Sequence, residues 1–142
     1  MPLRRNILVL GDGDFSFSKA IALQNMAEGG RANITATSLD EYAQLLEKYG
    51  EAERNLHTLN STPRVKVYHG VDATNLEQTL CTQLKHQKPR YDSIVWNFPY
   101  PVNPRTKLAW SGEGSALLVG LFSNVGPFLV PEGEVRIQGI TY

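Results

Sequence analysis

The chain has 142 residues, 42% hydrophobic and 20% charged, with fourteen basic side chains cancelled by fourteen acidic ones. That length predicts one domain over residues 1–142 with a sizeable core, and the balanced charge excludes a generally basic nucleic-acid surface, so any RNA contact has to be local. The lone Cys81 excludes an internal disulfide and a cysteine-built zinc site, and no apolar stretch approaches the roughly 20 residues needed to span a bilayer.

The sequence opens with MPLRRNILVL. Arginines before an apolar run resemble a signal peptide, but the run stops after four residues, too short for a signal's apolar core. Arg4 and Arg5 read as the solvated approach to a strand. Ile7, Leu8, Val9 and Leu10 predict a strand buried on both faces, as in a parallel sheet, ended by Gly11-Asp12-Gly13-Asp14. Ser16 or Ser18 is expected to cap a helix with apolar positions Phe17, Ala20, Ile21 and Leu23. Strand, glycine turn and helix open a nucleotide-binding α/β domain. Ser16 stands where a dinucleotide motif has its third glycine, and no P-loop lysine follows. Asp12 and Asp14 would repel phosphates, so a positively charged nucleoside ligand suits the turn better. S-adenosylmethionine, with its ammonium and sulfonium groups, fits; a purely structural tight turn is the alternative.

Glu28-Gly29-Gly30-Arg31 predicts a turn, and Asn33 to Leu39 a second strand rich in β-branched residues. Asp40 follows at its carboxyl end, where open α/β sheets bind ligands. It reads either as an acceptor for ribose hydroxyls or as the cap of the next helix. Tyr42, Leu45, Leu46, Tyr49, Ala52, Leu56 and Leu59 keep a helical period, with Gly50 placed to bend or divide it. Val65 to Val71 predicts the third strand. Asp72 after it reads as a partner for an adenine amino group or as the cap of a helix over 75–87. Acids after two successive strands, beside a glycine turn after the first, favour the nucleoside reading. The three histidines lack metal-ligand spacing. His57 and His86 are expected on solvent faces, whereas His69 ends a strand and can neighbour the ligand.

KHQKPR at 85–90 predicts a solvated basic loop, and Tyr91 to Trp96 a fourth strand running into Asn97-Phe98-Pro99-Tyr100. That tetrad resembles the N/D-P-P-Y/F loop of amino-group methyltransferases. There a side-chain oxygen and a backbone carbonyl accept hydrogen bonds from the target nitrogen, and the aromatic stacks on the base. Phe98 stands in place of the first proline, and a plain proline turn after a strand is the alternative. Residues 101–114 predict a loop whose Arg105, Lys107 and Trp110 suit phosphate contact and base stacking, or an ordinary surface loop. An apolar helix over 115–130, a turn at 131–134 and a fifth strand over 135–140 complete the pattern. Strands alternating with helices predict a doubly wound parallel sheet of order 3-2-1-4-5.

LGDGDFSFSKAIA at 10–22, ATSLDE at 36–41, HGVDAT at 69–74 and NFPY at 97–100 together carry a resemblance. The chain resembles the Rossmann-like methyltransferase domain of the rRNA uridine-N3-methyltransferase family, whose type member acts on yeast large-subunit rRNA. The resemblance extends over nearly the whole chain, including LFSNVGPFLVPEGEVRIQ. It implies S-adenosylmethionine as cofactor, rRNA as substrate and a nuclear or nucleolar location; apart from the resemblance, a cytoplasmic location is expected. By position it implies that Gly11, Gly13 and Phe15, with Asp12 and Asp14, shape the methionine end of the pocket. Asp40 would then take the ribose, Asp72 the adenine, and Asn97 to Tyr100 would face the target base. The family usually has Glu at the position of Asp12 and His at that of Tyr100, so one departure keeps the charge and the other removes an imidazole.

Asn97 Oδ1 and the Phe98 carbonyl are the expected acceptors for the uracil N3–H, with Tyr100 stacking. Asp14 is the nearest general-base candidate in sequence, or else a partner for the cofactor's amino group. Class I methyltransferases add a helix and an antiparallel strand pair after the fifth strand. The sequence stops at Tyr142, which predicts an edge strand left by truncation or covered by a protein partner. The competing reading is a catalytically inactive methyltransferase-like subunit acting in assembly on ribosomal precursors; a nucleotide-dependent oxidoreductase is a weaker third, lacking the third glycine and a phosphate-holding base.

Overall fold

The computed structural model describes residues 5–97 and 113–138. Its strands are β1 (Arg5–Leu10), β2 (Ala32–Thr37), β3 (Val65–Tyr68), β4 (Tyr91–Asn97) and β5 (Leu129–Gln138). They form one sheet in the order β3-β2-β1-β4-β5, every neighbouring pair parallel, as the alternating pattern predicts. With a strand on either side, β1 buries Leu8, Val9 and Leu10 completely. Each such side chain contributes about 1.5–3 kcal/mol.

Two cores sandwich the sheet. Val9, Ile34 and Ala36 face α1 (Ser16–Ala27), α2 (Tyr42–Lys48) and α3 (Ala52–Asn60). Leu8, Leu10, Ile94 and Trp96 meet a π-helical turn, Glu77–Cys81, and α4 (Glu113–Asn124). Cys81 is buried in that second core. His57 and His86 are exposed, as expected.

The helical stretch after Asp40 is two helices divided around Gly50, one of the two outcomes expected of that glycine. Several other elements differ from the sequence pattern for physical reasons. The first helix buries Ser18 and Ala22, while Leu23 is 51% exposed, and Phe15 at its start is held at φ 67°. Neither Ser16 nor Ser18 caps it: Phe15 is the N-cap and makes no side-chain cap bond. The helix expected over 75–87 is shortened to one wider π turn followed by turns, and Lys85 and His86, both at positive φ, end it. The turn expected at 131–134 is instead part of β5. Tyr91 pairs with Leu129 but Ser93 with Glu134, so the extra residues form a bulge around Glu132 at φ 67°. Resumed ladder pairing from Glu134 to Gln138 outweighs the local turn preference. In the described sheet β3 and β5 are the outer strands.

Candidate functional site

Parallel strands bring the loops after β1, β2 and β3 to one end of the sheet, and the strand order reverses between β1 and β4, the place where such folds bind ligands. Gly11 lies there at φ 62°, and a Cβ on it would sit 2.7 Å from Trp96 Nε1. The indole thus packs on the turn's backbone, through the pairing of Leu10 with Trp96. Gly13 faces the Tyr49 ring in the same way, at ordinary contact distance.

The two acids of the turn serve the start of α1. Asp14 Oδ1 accepts the Ser16 N–H at 2.9 Å, and Asp12 Oδ2 accepts the Ser18 N–H at 2.6 Å. The Phe17 N–H also bonds Asp12. The first donors of a helix, normally open to an anion, are therefore already occupied by carboxylates of the chain itself. Asp12 is 3% exposed. Burial is the main cause that pushes its carboxyl up to about 6, against the hydrogen bonds from Ser18 and Phe17, and nearby Asp14 adds to the rise. Ser18 is fully buried beside it, and its hydroxyl has no well-aligned hydrogen-bond partner among the described residues. Asn55 Nδ2 donates to the Asp14 carbonyl at 2.9 Å, tying the turn to α3.

Asp40 does not cap α2. Glu41 is the N-cap, and its N–H donates to Gln44 Oε1 at 3.3 Å. The Asp40 carboxylate pairs with Lys48 Nζ at 2.9 Å, which holds the ammonium's pKa above its usual value. Glu41 leans over Gly70, at φ 66°, where any Cβ would collide with Glu41 Oε1. Asp72 does not cap the following helical turn either, whose N-cap is Leu76. Its Oδ1 accepts from Thr74 N at 2.8 Å and from Thr74 Oγ1 at 2.7 Å, closing its own loop.

His69 joins the group. Its ring meets Phe15 and Tyr42 edge-on, with centroids 5.6 Å away in each case. Nδ1 lies 3.0 Å from Ser38 Oγ. The Ser38 proton goes to the Asp40 carbonyl, so Nδ1–H is the donor to Ser38. Burial lowers the imidazole pKa, against the pull of Glu41. Ser38, Glu41, Tyr42, Tyr49 and Trp96 escaped the sequence reading. The available signal was position: Ser38 and Glu41 flank Asp40 at a strand end, and Trp96 precedes Asn97.

Asn97 ends β4 opposite Gln138, which sets its backbone at the ligand end of the sheet. Phe98, Pro99 and Tyr100 lie outside the described residues, as do Arg105, Lys107 and Trp110. Among the described residues no cluster of His, Cys, Asp or Glu could hold a metal ion, and no helix is long and apolar enough to cross a membrane. The loops at 11–15, 38–41 and 69–75 carry five acids and no lysine or arginine.

A parallel sheet of this order, with a glycine turn after its central strand and acids after the next two, defines a Rossmann-like α/β domain. Residues 8–141 match the family described as BMT5-like, rRNA (uridine-N3-)-methyltransferase BTM5-like, and the chain belongs to that family. It is 34% identical over 134 residues to heavy metal-associated isoprenylated plant protein 41 of Arabidopsis thaliana, covering 93% of this chain and 24% of that protein. An uncharacterized protein of the same plant is 33% identical over 135 residues, covering 92% of this chain and 61% of its own length. The chain thus spans about a quarter and about three fifths of these relatives. Among solved structures, a putative short-chain alcohol dehydrogenase from Burkholderia multivorans superposes with a TM-score of 0.53 at 14% identity, over 94% of this chain and 60% of that one. That likeness shows the Rossmann-like fold.

Proposed function

We propose that residues 1–142 form one S-adenosylmethionine-dependent methyltransferase domain acting on uridine N3 of rRNA. One observation carries the choice of cofactor. The N-terminal donors of α1 are filled by Asp12 and Asp14, which removes the pyrophosphate seat that a dinucleotide oxidoreductase of similar fold would need. Five acids without a lysine or arginine in the three loops favour a cationic nucleoside instead.

In this reading the backbone of Gly11 and Gly13 lies against the methionine portion, and Asp14 offers a carboxylate oxygen to its ammonium. Buried Asp12 and Phe15 hold the turn's shape from beneath. Asp40, steadied by Lys48, takes the ribose hydroxyls with Glu41 beside it, and Asp72 takes the adenine amino group. The cofactor supplies an electrophilic methyl group. The target uracil would leave its stack, with Asn97 Oδ1 and the Phe98 carbonyl accepting a hydrogen bond from its N3–H while Tyr100 stacks. The proton that N3 loses on gaining the methyl group would pass to water, leaving S-adenosylhomocysteine. A protonated N3 is a weak nucleophile, so positioning supplies much of the acceleration. We infer a nuclear or nucleolar location from that substrate.

The test is calorimetric titration with S-adenosylhomocysteine, followed by methyl transfer to rRNA fragments. Micromolar binding is expected, weakened more than tenfold in Asp72→Ala, with the modified nucleoside identified as 3-methyluridine. No binding to a folded chain would reject the reading in favour of a non-catalytic subunit.

A further inference from the structure

A second recess opens at the opposite end of the sheet from the cofactor loops. The π turn between β3 and β4 covers Leu8 and Leu10 with Leu76 and Leu80 but leaves the amino-terminal part of that sheet face open. The result is a cleft of about 530 Å³. Its floor is polar: Thr35 pairs in register with Lys66, and Asn33 Nδ2 donates to Asn6 Oδ1 at 3.0 Å. Its wall is the 84–90 segment, whose polar, basic composition now has a place to act.

Arg64, Lys66, Lys88 and Arg90 all line this cleft, and none of its thirteen lining residues is acidic. In a chain of zero net charge, four cations around one recess are a local concentration. Only Lys88 among them has an ionic partner within the described residues, Glu77 at 3.8 Å, and both of those side chains are exposed. Arg64 is held at φ 66°, a conformation L residues seldom adopt, where the chain enters β3. The β1 strand of six residues sets the cleft roughly 20 Å from the glycine turn.

We propose that this cleft binds the phosphodiester backbone of the RNA substrate, at a segment away from the nucleotide that enters the cofactor site. The proposal rests on the RNA substrate reading above. It divides the labour: the acidic end holds a cationic cofactor and one base, and the basic end holds the polyanion. Phosphate contacts position a nucleic acid without reading its sequence, which suits a recess lined by flexible cations.

The test uses a fluorescein-labelled 30-nucleotide hairpin RNA with a uridine-containing single-stranded loop, titrated over a range of salt. The 142-residue chain is compared with the double variant Lys66→Gln/Arg90→Gln and with Arg31→Gln/Arg54→Gln, which removes the same charge from other exposed positions. The cleft variant is expected to bind about tenfold more weakly and to lose about 1.4 from the slope of log K against log salt, at about 0.7 per phosphate contact. The control pair should stay near the parent. Equal slopes and affinities for both variants, or no RNA binding by the parent, would overturn the proposal. Full displacement of the RNA by millimolar inorganic phosphate would also overturn it, assigning a small-anion site. Binding of S-adenosylhomocysteine is measured on the same samples. If RNA binding weakens in the cleft variant while no sample binds that ligand, the cleft stands and the cofactor reading falls.

Discussion

Gly11→Ala is expected to destabilise the chain by about 2–5 kcal/mol and to abolish measurable binding of S-adenosylhomocysteine. Two costs combine. The backbone at φ 62° is one that an L side chain adopts at roughly 1–2 kcal/mol, and the new Cβ would lie 2.7 Å from Trp96 Nε1. Trp96 is 6% exposed and packed in the core under α4, so its indole cannot swing away without opening a void. Overpacking of this kind typically costs about 1–3 kcal/mol. The displaced indole belongs to the residue before Asn97 on β4 and packs on the glycine turn, which couples the stability loss to the ligand site. Urea unfolding followed by tryptophan fluorescence measures the first effect and calorimetry the second. A variant within about 0.5 kcal/mol of the parent, a typical surface substitution, would mean that the turn is not pinned by Trp96.

Asp12→Asn is expected to stabilise the chain at pH 7.5 and to change it little near pH 4. The Asp12 carboxyl titrates at about 6 in the fold and near 3.9 in an unfolded chain. Between those values the folded protein holds a proton that the unfolded chain has released, so stability falls as pH rises through the window. Above it the folded state carries the whole cost of a buried charge, about 3 kcal/mol. Asparagine has the same shape and keeps an oxygen for the Ser18 N–H. Urea midpoints of parent and variant at pH 4 and 7.5 decide the matter. An advantage of equal size at both values would assign the effect to packing and not to the carboxyl proton.

The location of the site was legible in the sequence, and its wiring was not. Glycines after an apolar run and acids after two β-branched runs are local signals, and strand order follows from alternation and handedness. The partner of each acid lies within eight residues but depends on where the neighbouring helix or loop places its donors. Asp12 and Asp14 turn inward because α1 starts at Ser16 with its donors exposed to them. Lys48, a full helix away, claims Asp40. His69 reaches Ser38 across 31 residues and meets Phe15 across more. Such pairings exist only once strands are in register.

By itself, the sequence determined a five-stranded parallel α/β sheet, the glycine turn and the acids that end its strands, since periodicity and turn chemistry act over a few residues. Only the tertiary structure decided which donors those acids serve, that Trp96 closes over Gly11, and that the 131–134 turn is a bulge. It also decided that a short crossover leaves a basic cleft open. These are outcomes of packing and hydrogen-bond competition between distant segments, and burial fixes them: once a polar group leaves water, it keeps whichever partner the fold has brought within reach.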